Sequence, residues 1–168
     1  MPVALAATPA PTTIGLPLGN EADPYSPAVA RLGRSIVMYT RWPDDPATLR
    51  ACVIGPTDHG DDLLAGKSVA SVGVSAVAVT VAAAQPGACD IVYIGRMSLE
   101  EQRVVTARMR GAPVLTIAEN DPACRSRAMF CLLYEAESLS FRLNIDAVAS
   151  SQIRIDPRVL RMGAGGAP

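Results

Sequence analysis

Four cysteines are the residues whose chemistry says most about where this chain works: Cys52, Cys89, Cys124 and Cys131. None belongs to a Cys-x-x-Cys pair, which argues against a thioredoxin-type redox centre and against a zinc knuckle. Cys124 and Cys131 stand seven positions apart at the entry to an apolar run, so a local bridge is geometrically easy. With that pairing, the second bridge would join Cys52 to Cys89. The alternative is four reduced, buried cysteines in a cytosolic protein.

The two candidate bridges differ in the length of chain that they close. In the chain-entropy account, the short Cys124–Cys131 loop contributes about 2.5 kcal/mol and the long Cys52–Cys89 loop about 4 kcal/mol. Both values are large beside the ~5–15 kcal/mol stability of a typical domain. The short bridge is also expected nearer to the surface, and we predict that it is the more readily reduced of the two.

The single histidine, His59, stands in the acidic stretch PTDHGDD. It could act as a catalytic base or bind a hard cation, but one histidine without nearby cysteines cannot complete a structural zinc site. A solvated loop that caps a helix is the simpler interpretation. The stretch GDDLLAGKS resembles a phosphate-binding loop, yet five residues separate Gly60 from Gly66 where the motif requires four. Without a nucleophile-elbow pattern, we predict no enzymatic activity, no metal site and no cofactor.

Several polar and aromatic residues are candidate contacts for a ligand or a partner. Arg41 precedes Trp42, the only tryptophan, and these two residue types are common interface anchors. The competing interpretation is a half-buried tryptophan that ends a helix. Asn144, on the polar side of a predicted strand, is either a ligand contact or a structural hydrogen-bonding residue.

Arg125 and Arg127 lie between two of the cysteines, in ACRSRAMFC. If those cysteines are bridged, both arginines project from a constrained loop. They are therefore further candidates for contact with a partner protein.

The first helix is predicted to begin at Ser26, which would cap it, with Pro27 at the first helical position. Apolar residues then recur at helical spacing (Val29, Leu32, Ile36, Val37). Pro43 disfavours helix in the residue before it, so the helix is expected to end at Trp42.

Strands and helices alternate through the middle of the chain. Buried strands are predicted at LRACVIG, SAVAVTVA, CDIVYIG and PVLTIAE. A short helix is expected around Asp61–Leu64, and a capping box, Ser98 with Glu101, opens another helix that runs to Gly111. This alternation indicates a mainly parallel sheet flanked by helices. In a sheet of order 2-1-3, the strands of Cys52 and Cys89 are neighbours.

The C-terminal third is predicted to form an antiparallel hairpin from FCLLYE and LSFRLNI. Alternation in the second strand indicates one buried face (Leu139, Phe141, Leu143, Ile145) and one wetter face (Ser140, Arg142, Asn144). A helix from about Ala147 and a turn capped by Asp156 follow. The expected fold class is α/β: a single compact domain with a mainly parallel sheet, flanking helices and this C-terminal hairpin.

The amino-acid composition limits the kinds of core and of binding partner that the chain can have. Hydrophobic residues make up 49% of the chain and aromatic residues 4%, so the core must consist mainly of aliphatic side chains. A net charge of −1 without a basic block argues against non-specific binding to nucleic acid or to a membrane surface. We expect a disordered segment at 1–23, one domain at 24–162 and a flexible tail at 163–168.

Five stretches carry a resemblance to a known family: SIVMYTRWP, CVIG, CDIVYIG, PVLTIAE and LSFRLNIDAVASSQIRIDPRVLRMG. In this order and spacing, from about Val29 to Met162, the chain resembles the YfiR-like proteins, periplasmic repressors of a membrane-bound diguanylate cyclase. Family members often carry a glycine-rich turn before the hairpin, where this chain has CRSRAMFC.

The resemblance implies two disulfides, which match the pairs Cys52–Cys89 and Cys124–Cys131. It implies an exported, often dimeric protein, although the opening MPVALAATPA lacks the basic segment of a signal peptide. The family's ligand-contacting arginine at the end of the first helix falls on Arg41.

For function, the resemblance implies a non-enzymatic periplasmic regulator that binds and represses the sensor domain of a membrane diguanylate cyclase. Release would come from an outer-membrane lipoprotein or from a redox change. Lower cyclic di-GMP signalling and less biofilm would follow. The alternatives are a periplasmic module that binds a small ligand near Arg41 and Trp42, and an enzyme that relies on His59.

Overall fold

The structure is a computed structural model that describes residues 15–66, 68–69 and 72–162. The predicted tail at 163–168 and most of the predicted N-terminal segment lie outside the described residues. Within the described part, the elements follow one another in this order: β1 (Leu16–Pro17), α1 (Tyr25–Met38), β2 (Thr40–Arg41), β3 (Thr48–Ile54), α2 (Asp61–Ala65), β4 (Ser68–Val69), β5 (Val72–Val79), β6 (Ile91–Ile94), α3 (Leu99–Met109), β7 (Leu115–Ala118), β8 (Phe130–Tyr134), β9 (Ser138–Leu143), α4 (Ile145–Ala149), β10 (Arg154–Ile155) and a 3₁₀ helix (Pro157–Arg161).

Eight of these strands form one sheet in the order β1-β9-β8-β7-β6-β3-β5-β4. Strands β5, β3, β6, β7 and β8 run parallel. The C-terminal hairpin strand β9 is antiparallel to β8, and β1 is antiparallel to β9. The predicted α/β fold with a mainly parallel sheet and a C-terminal hairpin is confirmed. Because β3 lies between β5 and β6, the expected 2-1-3 order is confirmed as well.

Two apolar clusters cover the two faces of the sheet. On one face, α1 buries its regularly spaced residues Val29, Leu32 and Ile36 against the large cluster that includes Phe130 and Phe141. On the other face, α3 packs Val105 and Met109 against the strands that carry the first disulfide. Burying each large aliphatic side chain contributes roughly 1.5–3 kcal/mol, so this three-layer packing is the main source of stability.

The start of α1 differs from the prediction. The helix begins at Tyr25, and Pro24 takes the N-cap position without a side-chain bond. The Asp23 carboxylate accepts hydrogen bonds from the Tyr25 N–H at 3.1 Å and from the Ser26 hydroxyl at 2.5 Å. Ser26 is therefore not the cap, because Asp23 already supplies the acceptor that the first turn requires.

The end of α1 also differs, since the helix ends at Met38 and not at Trp42. Thr40 and Arg41 form β2, which pairs with β10 in a separate two-stranded sheet. The Thr40 hydroxyl donates to the Ile36 carbonyl at 2.7 Å and so satisfies one of the last helical carbonyls. The pairing with β10, rather than Pro43, thus stops the helix, and Arg41 lies in a strand.

The hairpin confirms part of the predicted alternation. Leu139, Phe141 and Leu143 are buried, but Ile145 is 59% exposed because it is the first residue of α4. Ser140, which we placed on the wetter face, is 2% exposed. That face also carries Cys131, which packs with residues next to the loop after β7, so it is partly covered by the chain.

The N-terminal expectation needs one correction within the described residues. Leu16 and Pro17 form β1, with Leu16 opposite Leu139 in β9. The outer edge of β9 offers unpaired backbone groups, which explains why this short segment docks there. Regular structure thus begins at Leu16, inside the segment 1–23 that we expected to be disordered.

Both disulfides are present. Cys52 in β3 joins Cys89, just before the neighbouring strand β6, with Cα atoms 5.7 Å apart. Cys124 joins Cys131 at the start of β8, with Cα atoms 5.4 Å apart. A carboxylate oxygen of Asp121 lies within 4.8 Å of both sulfur atoms of this second pair, a spacing that could hold a metal ion. The two sulfur atoms are, however, bonded to each other. The ACRSRAMFC stretch is therefore stapled by a covalent bridge.

Removal of each bridge is expected to cost stability in proportion to its loop. Replacing Cys124 and Cys131 together by alanine should lower the free energy of unfolding by about 2.5 kcal/mol, and replacing Cys52 and Cys89 by about 4 kcal/mol. Urea unfolding followed by circular dichroism measures both. Equal losses for the two pairs would contradict the loop-length argument.

A second expectation concerns the order of reduction. Cys124 is half-buried, whereas the three other cysteines are buried, so a reductant should open Cys124–Cys131 first. Alkylation of native protein at increasing reductant concentration, followed by peptide mapping, identifies the first free thiols. Opening of Cys52–Cys89 first would reverse the assignment.

Candidate functional site

In open parallel sheets, ligands usually bind outside the carboxyl ends of the strands where the chain reverses its winding direction. Here that point lies between β3 and β6, because the chain runs from β3 outward to β5 and then returns to β6. The space where a ligand would bind is filled by the backbone of the segments that follow these two strands. Gly95 donates its N–H to the Ile54 carbonyl at 2.7 Å, and a Cβ atom on Gly95 would clash with the carbonyl oxygen of Pro56.

A buried carboxylate closes the same edge of the sheet. Glu119, fully buried at the end of β7, accepts from the Tyr93 hydroxyl and from the backbone N–H groups of Asp58 and His59, each at 2.8 Å. A buried carboxylate is tolerated when several donors surround it. Glu119 therefore ties the loop after β3 to two central strands and has a structural role.

His59 belongs to a cluster of rings above this carboxylate. Its imidazole lies 5.2 Å from the Tyr25 ring and 5.1 Å from the Tyr134 ring, and Nδ1 lies 3.4 Å from the Asp23 carboxylate. Burial, together with the Glu119 charge, raises the pKa of Tyr134 far above its usual value, so that hydroxyl stays protonated. This arrangement gives His59 a packing role that needs no substrate.

Arg41 and Trp42 lie together at a different margin of the sheet. The exposed Arg41 guanidinium donates to the carbonyls of Met38 at 2.7 Å and Thr40 at 3.0 Å. The half-buried Trp42 donates its indole N–H to the Asp90 carbonyl at 3.2 Å. Both residues line a cleft of about 260 Å³. This volume is slightly below the ~300–1,000 Å³ of typical ligand sites, so the corner suits a compact ligand.

Asp90 links this corner to the first disulfide. Its carboxylate accepts from the Arg50 backbone N–H at 2.8 Å and from two guanidinium nitrogens at 3.0 Å. Burial alone would raise the pKa of Asp90, but the hydrogen bonds and charge of Arg50 outweigh it and hold that pKa below its usual value. The carboxylate is therefore ionised at neutral pH and fixes the residue that follows Cys89.

The loop between Cys124 and Cys131 is held from several sides. The buried Asp121 carboxylate accepts from the backbone N–H groups of Arg125 at 3.0 Å and Ser126 at 2.7 Å. From α3, the Thr106 hydroxyl donates to the Ser126 carbonyl at 2.7 Å, and Arg103 Nε donates to the Arg125 carbonyl at 2.9 Å. These bonds and the disulfide fix the loop against α3.

Between this loop, α3 and the start of α4 lies a concavity of about 540 Å³, which we call the arginine cleft. Arg103, Arg110, Arg127 and Asn144 line it. Arg110 pairs with Asp146 at 3.2 Å, the acidic residue among the lining side chains. The cleft therefore has a net positive lining.

The arginine cleft brings together two of the residues singled out from the sequence, Arg127 and Asn144. Asn144 also has the simpler role considered for it, because its side-chain oxygen caps α4 by accepting from the Ala147 N–H at 3.1 Å. Arg125 is exposed on the same loop but does not line the cleft. Arg41 and Trp42 form their own corner, so the predicted residues divide between two places.

Sequence reasoning missed three residues: Arg103 and Arg110, which line the arginine cleft, and Glu119, which holds the edge of the sheet. A carboxylate directly after a buried strand, as in PVLTIAE, was a usable signal for Glu119. For Arg103 and Arg110, the spacing of seven along α3 places them near one face of the helix, but the sequence did not indicate what that face meets.

Comparison with known families identifies a matching family. A family profile described as YfiR/HmsC-like matches residues 27–164, which is more than half of the chain. Among the residues that the structure describes, helices that are both long and apolar enough to cross a membrane are absent.

The role assigned to Glu119 leads to a stability prediction. Glu119→Gln removes the charge and turns an amide toward backbone donors, so the free energy of unfolding should fall by about 3 kcal/mol. Glu137→Gln, an exposed site with the same chemical change, is the matched control and should change stability by less than about 0.5 kcal/mol. Equal effects in thermal or urea unfolding would show that Glu119 does not hold the edge.

Proposed function

The chain belongs to the YfiR/HmsC-like family, and from this premise we propose that it binds the sensor domain of a membrane diguanylate cyclase and represses it. Membership in this family indicates a periplasmic protein whose role is to regulate a diguanylate cyclase rather than to catalyse a reaction. The match over residues 27–164 is the observation that carries the proposal. Lower cyclic di-GMP signalling and less biofilm are the expected downstream effects.

The two disulfides support a periplasmic site of action. Structural disulfides form and persist in oxidising compartments and are rare in the cytosol. Both bridges join buried or half-buried cysteines of neighbouring segments and leave no free thiol among the described residues. Both bridges thus support the proposal that the chain works in an oxidising compartment, as the family suggests.

Repression would work by differential affinity. A regulator that binds the inactive conformation of the cyclase more tightly than the active one shifts the population by that difference in binding free energy. A tenfold preference corresponds to about 1.4 kcal/mol. An outer-membrane lipoprotein or a redox change that competes for or alters this chain would release the cyclase, and a homodimer of the chain is a compatible resting state.

The loop between Cys124 and Cys131, which we call the stapled loop, is a suitable surface for contact with the partner protein. Arg125 and Arg127 are both exposed, while their backbone is fixed by Asp121 and by the disulfide. Because the backbone of the loop is already ordered, only the side chains of these arginines lose conformational freedom on binding. We therefore assign the contact with the cyclase sensor domain to this loop.

The test is direct binding between the purified chain, with disulfides intact, and the periplasmic sensor domain of a membrane diguanylate cyclase from the same genome. We expect a dissociation constant in the micromolar range or below by biolayer interferometry. Arg125→Glu should weaken binding about tenfold or more, because it reverses the charge at the contact. Arg161→Glu makes the same change at an exposed position of the C-terminal 3₁₀ helix and should leave binding unchanged.

Failure to bind at micromolar concentration would contradict the proposed function. Binding that Arg125→Glu and Arg161→Glu weaken equally would instead contradict the assignment of the contact to the stapled loop.

The cleft beside Arg41 and Trp42 favours a second candidate function, a module that binds a small ligand. An exposed guanidinium next to a half-buried indole can bind an anionic and a flat apolar group at once. This function is compatible with the first if the ligand tunes affinity for the cyclase.

Isothermal titration with a panel of amino acids and nucleotides tests this candidate. Arg41→Ala should weaken any affinity found by about tenfold, with Arg154→Ala on the paired strand β10 as the control for local structure. An unchanged affinity in Arg41→Ala would exclude this corner as the site.

A further inference from the structure

The arginine cleft presents hydrogen-bond donors from three separate segments of the chain. Arg103 and Arg110 come from α3 and its end, Arg127 from the stapled loop, and Asn144 from the residue that caps α4. Because Asn144 uses its oxygen to cap the helix, its amide nitrogen is the group left to face a ligand. The polar groups offered to the cleft are therefore mainly donors.

The charges in the cleft are unbalanced. Three guanidinium groups and the single Asp146 carboxylate line it, and Arg110 already pairs with that carboxylate. Arg103 commits its Nε to the Arg125 carbonyl, which leaves its two terminal nitrogens. Within the described residues, Arg127 has no acceptor for its guanidinium. Guanidinium groups that face one cavity repel each other unless an anion lies between them.

The backbone of the loop is held in an unfavourable conformation at Arg127, one of the residues that line the cleft. Arg127 has φ of 65° and Cys124 has φ of 55°, in the left-handed region that costs a non-glycine residue roughly 1–2 kcal/mol. The bonds from Asp121 and Thr106 hold the loop despite this cost. Such residues concentrate at binding sites, where the surrounding structure maintains them.

The walls between the polar groups are apolar. Met109, Met129 and Ala147 contribute side chains to the lining, and Met129 is fixed where its N–H donates to the Thr116 hydroxyl at 2.9 Å. A cleft of about 540 Å³ lies within the ~300–1,000 Å³ range of sites for small organic molecules. Size, charge and apolar walls together define the class of ligand.

We propose that the arginine cleft is a binding site for a small organic anion, held through its carboxylate or phosphate groups by Arg103, Arg110 and Arg127. The planar guanidinium groups suit two-point bonds to either oxyanion. The body of the ligand lies against the methionines. The site shares Arg127 with the loop that we propose contacts a cyclase, but anion binding at the cleft needs no second protein and can be measured without one.

The experiment is isothermal titration of the full chain, with disulfides intact, in a low-salt zwitterionic buffer. The two probes are citrate, which carries carboxylates, and adenosine monophosphate, which carries a phosphate. We expect saturable binding of at least one probe to one site per chain. Arg127→Gln should weaken it about tenfold or more, because a bond between charged groups is lost. Tighter binding of one probe identifies which oxyanion the cleft prefers.

Arg125→Gln is the matched control, since it makes the same change two residues away, outside the cleft. Its affinity should stay within about twofold of the wild-type value. Amide chemical shifts should move at Thr116, Arg127 and Asn144, and affinity should fall with added sodium chloride.

Absence of saturable binding of both probes at millimolar concentration would overturn the proposal. So would binding that Arg127→Gln leaves unchanged, or chemical-shift changes that centre on Trp42. None of these results bears on the cyclase, because the titration contains no partner protein.

Discussion

The parallel pairing of β3 with β6 is the constraint on which the rest of the molecule depends. It places Cys52 beside the segment that precedes β6 and makes the bond to Cys89 possible. The same register lets Arg50 hold the Asp90 carboxylate and presents the Asp90 carbonyl to Trp42. A disulfide, an ion pair and a tryptophan therefore hold the amino end of these strands, while the buried carboxylate of Glu119 holds the carboxyl end.

Because both ends of the central strands are closed, a ligand or partner must bind elsewhere on the protein. Most open α/β sheets keep a crevice at the carboxyl ends of their strands. In this chain the approach of Gly95 to Pro56 and the hydrogen bonds of Glu119 fill that crevice. The concave surfaces lie instead at the margins, beside Trp42 and between α3 and the stapled loop. Regular elements border both surfaces, so the two candidate binding surfaces are as ordered as the sheet itself.

The regular elements could be predicted because their signals are local. The capping box of Ser98 and Glu101 predicted the start of α3, and both of its hydrogen bonds are present. The limits of α1 were misplaced because they depend on other contacts. Asp23 supplies the acceptor expected from Ser26, and β2 pairs with a strand more than a hundred residues away. A pairing of that range leaves no trace in the residues around Arg41.

The arginine cleft could be predicted only in part, and the reason is conformational. Arg127 and Asn144 are each candidates in the sequence, but nothing there shows that they line one cleft or that Arg127 takes a left-handed backbone conformation. Asp121 fixes the two residues before Arg127, because its carboxylate accepts hydrogen bonds from the N–H groups of Arg125 and Ser126 in the loop. The short disulfide closes it. Although its loop-entropy contribution is the smaller of the two, this bridge shapes a surface, whereas the Cys52–Cys89 bond secures the sheet behind it.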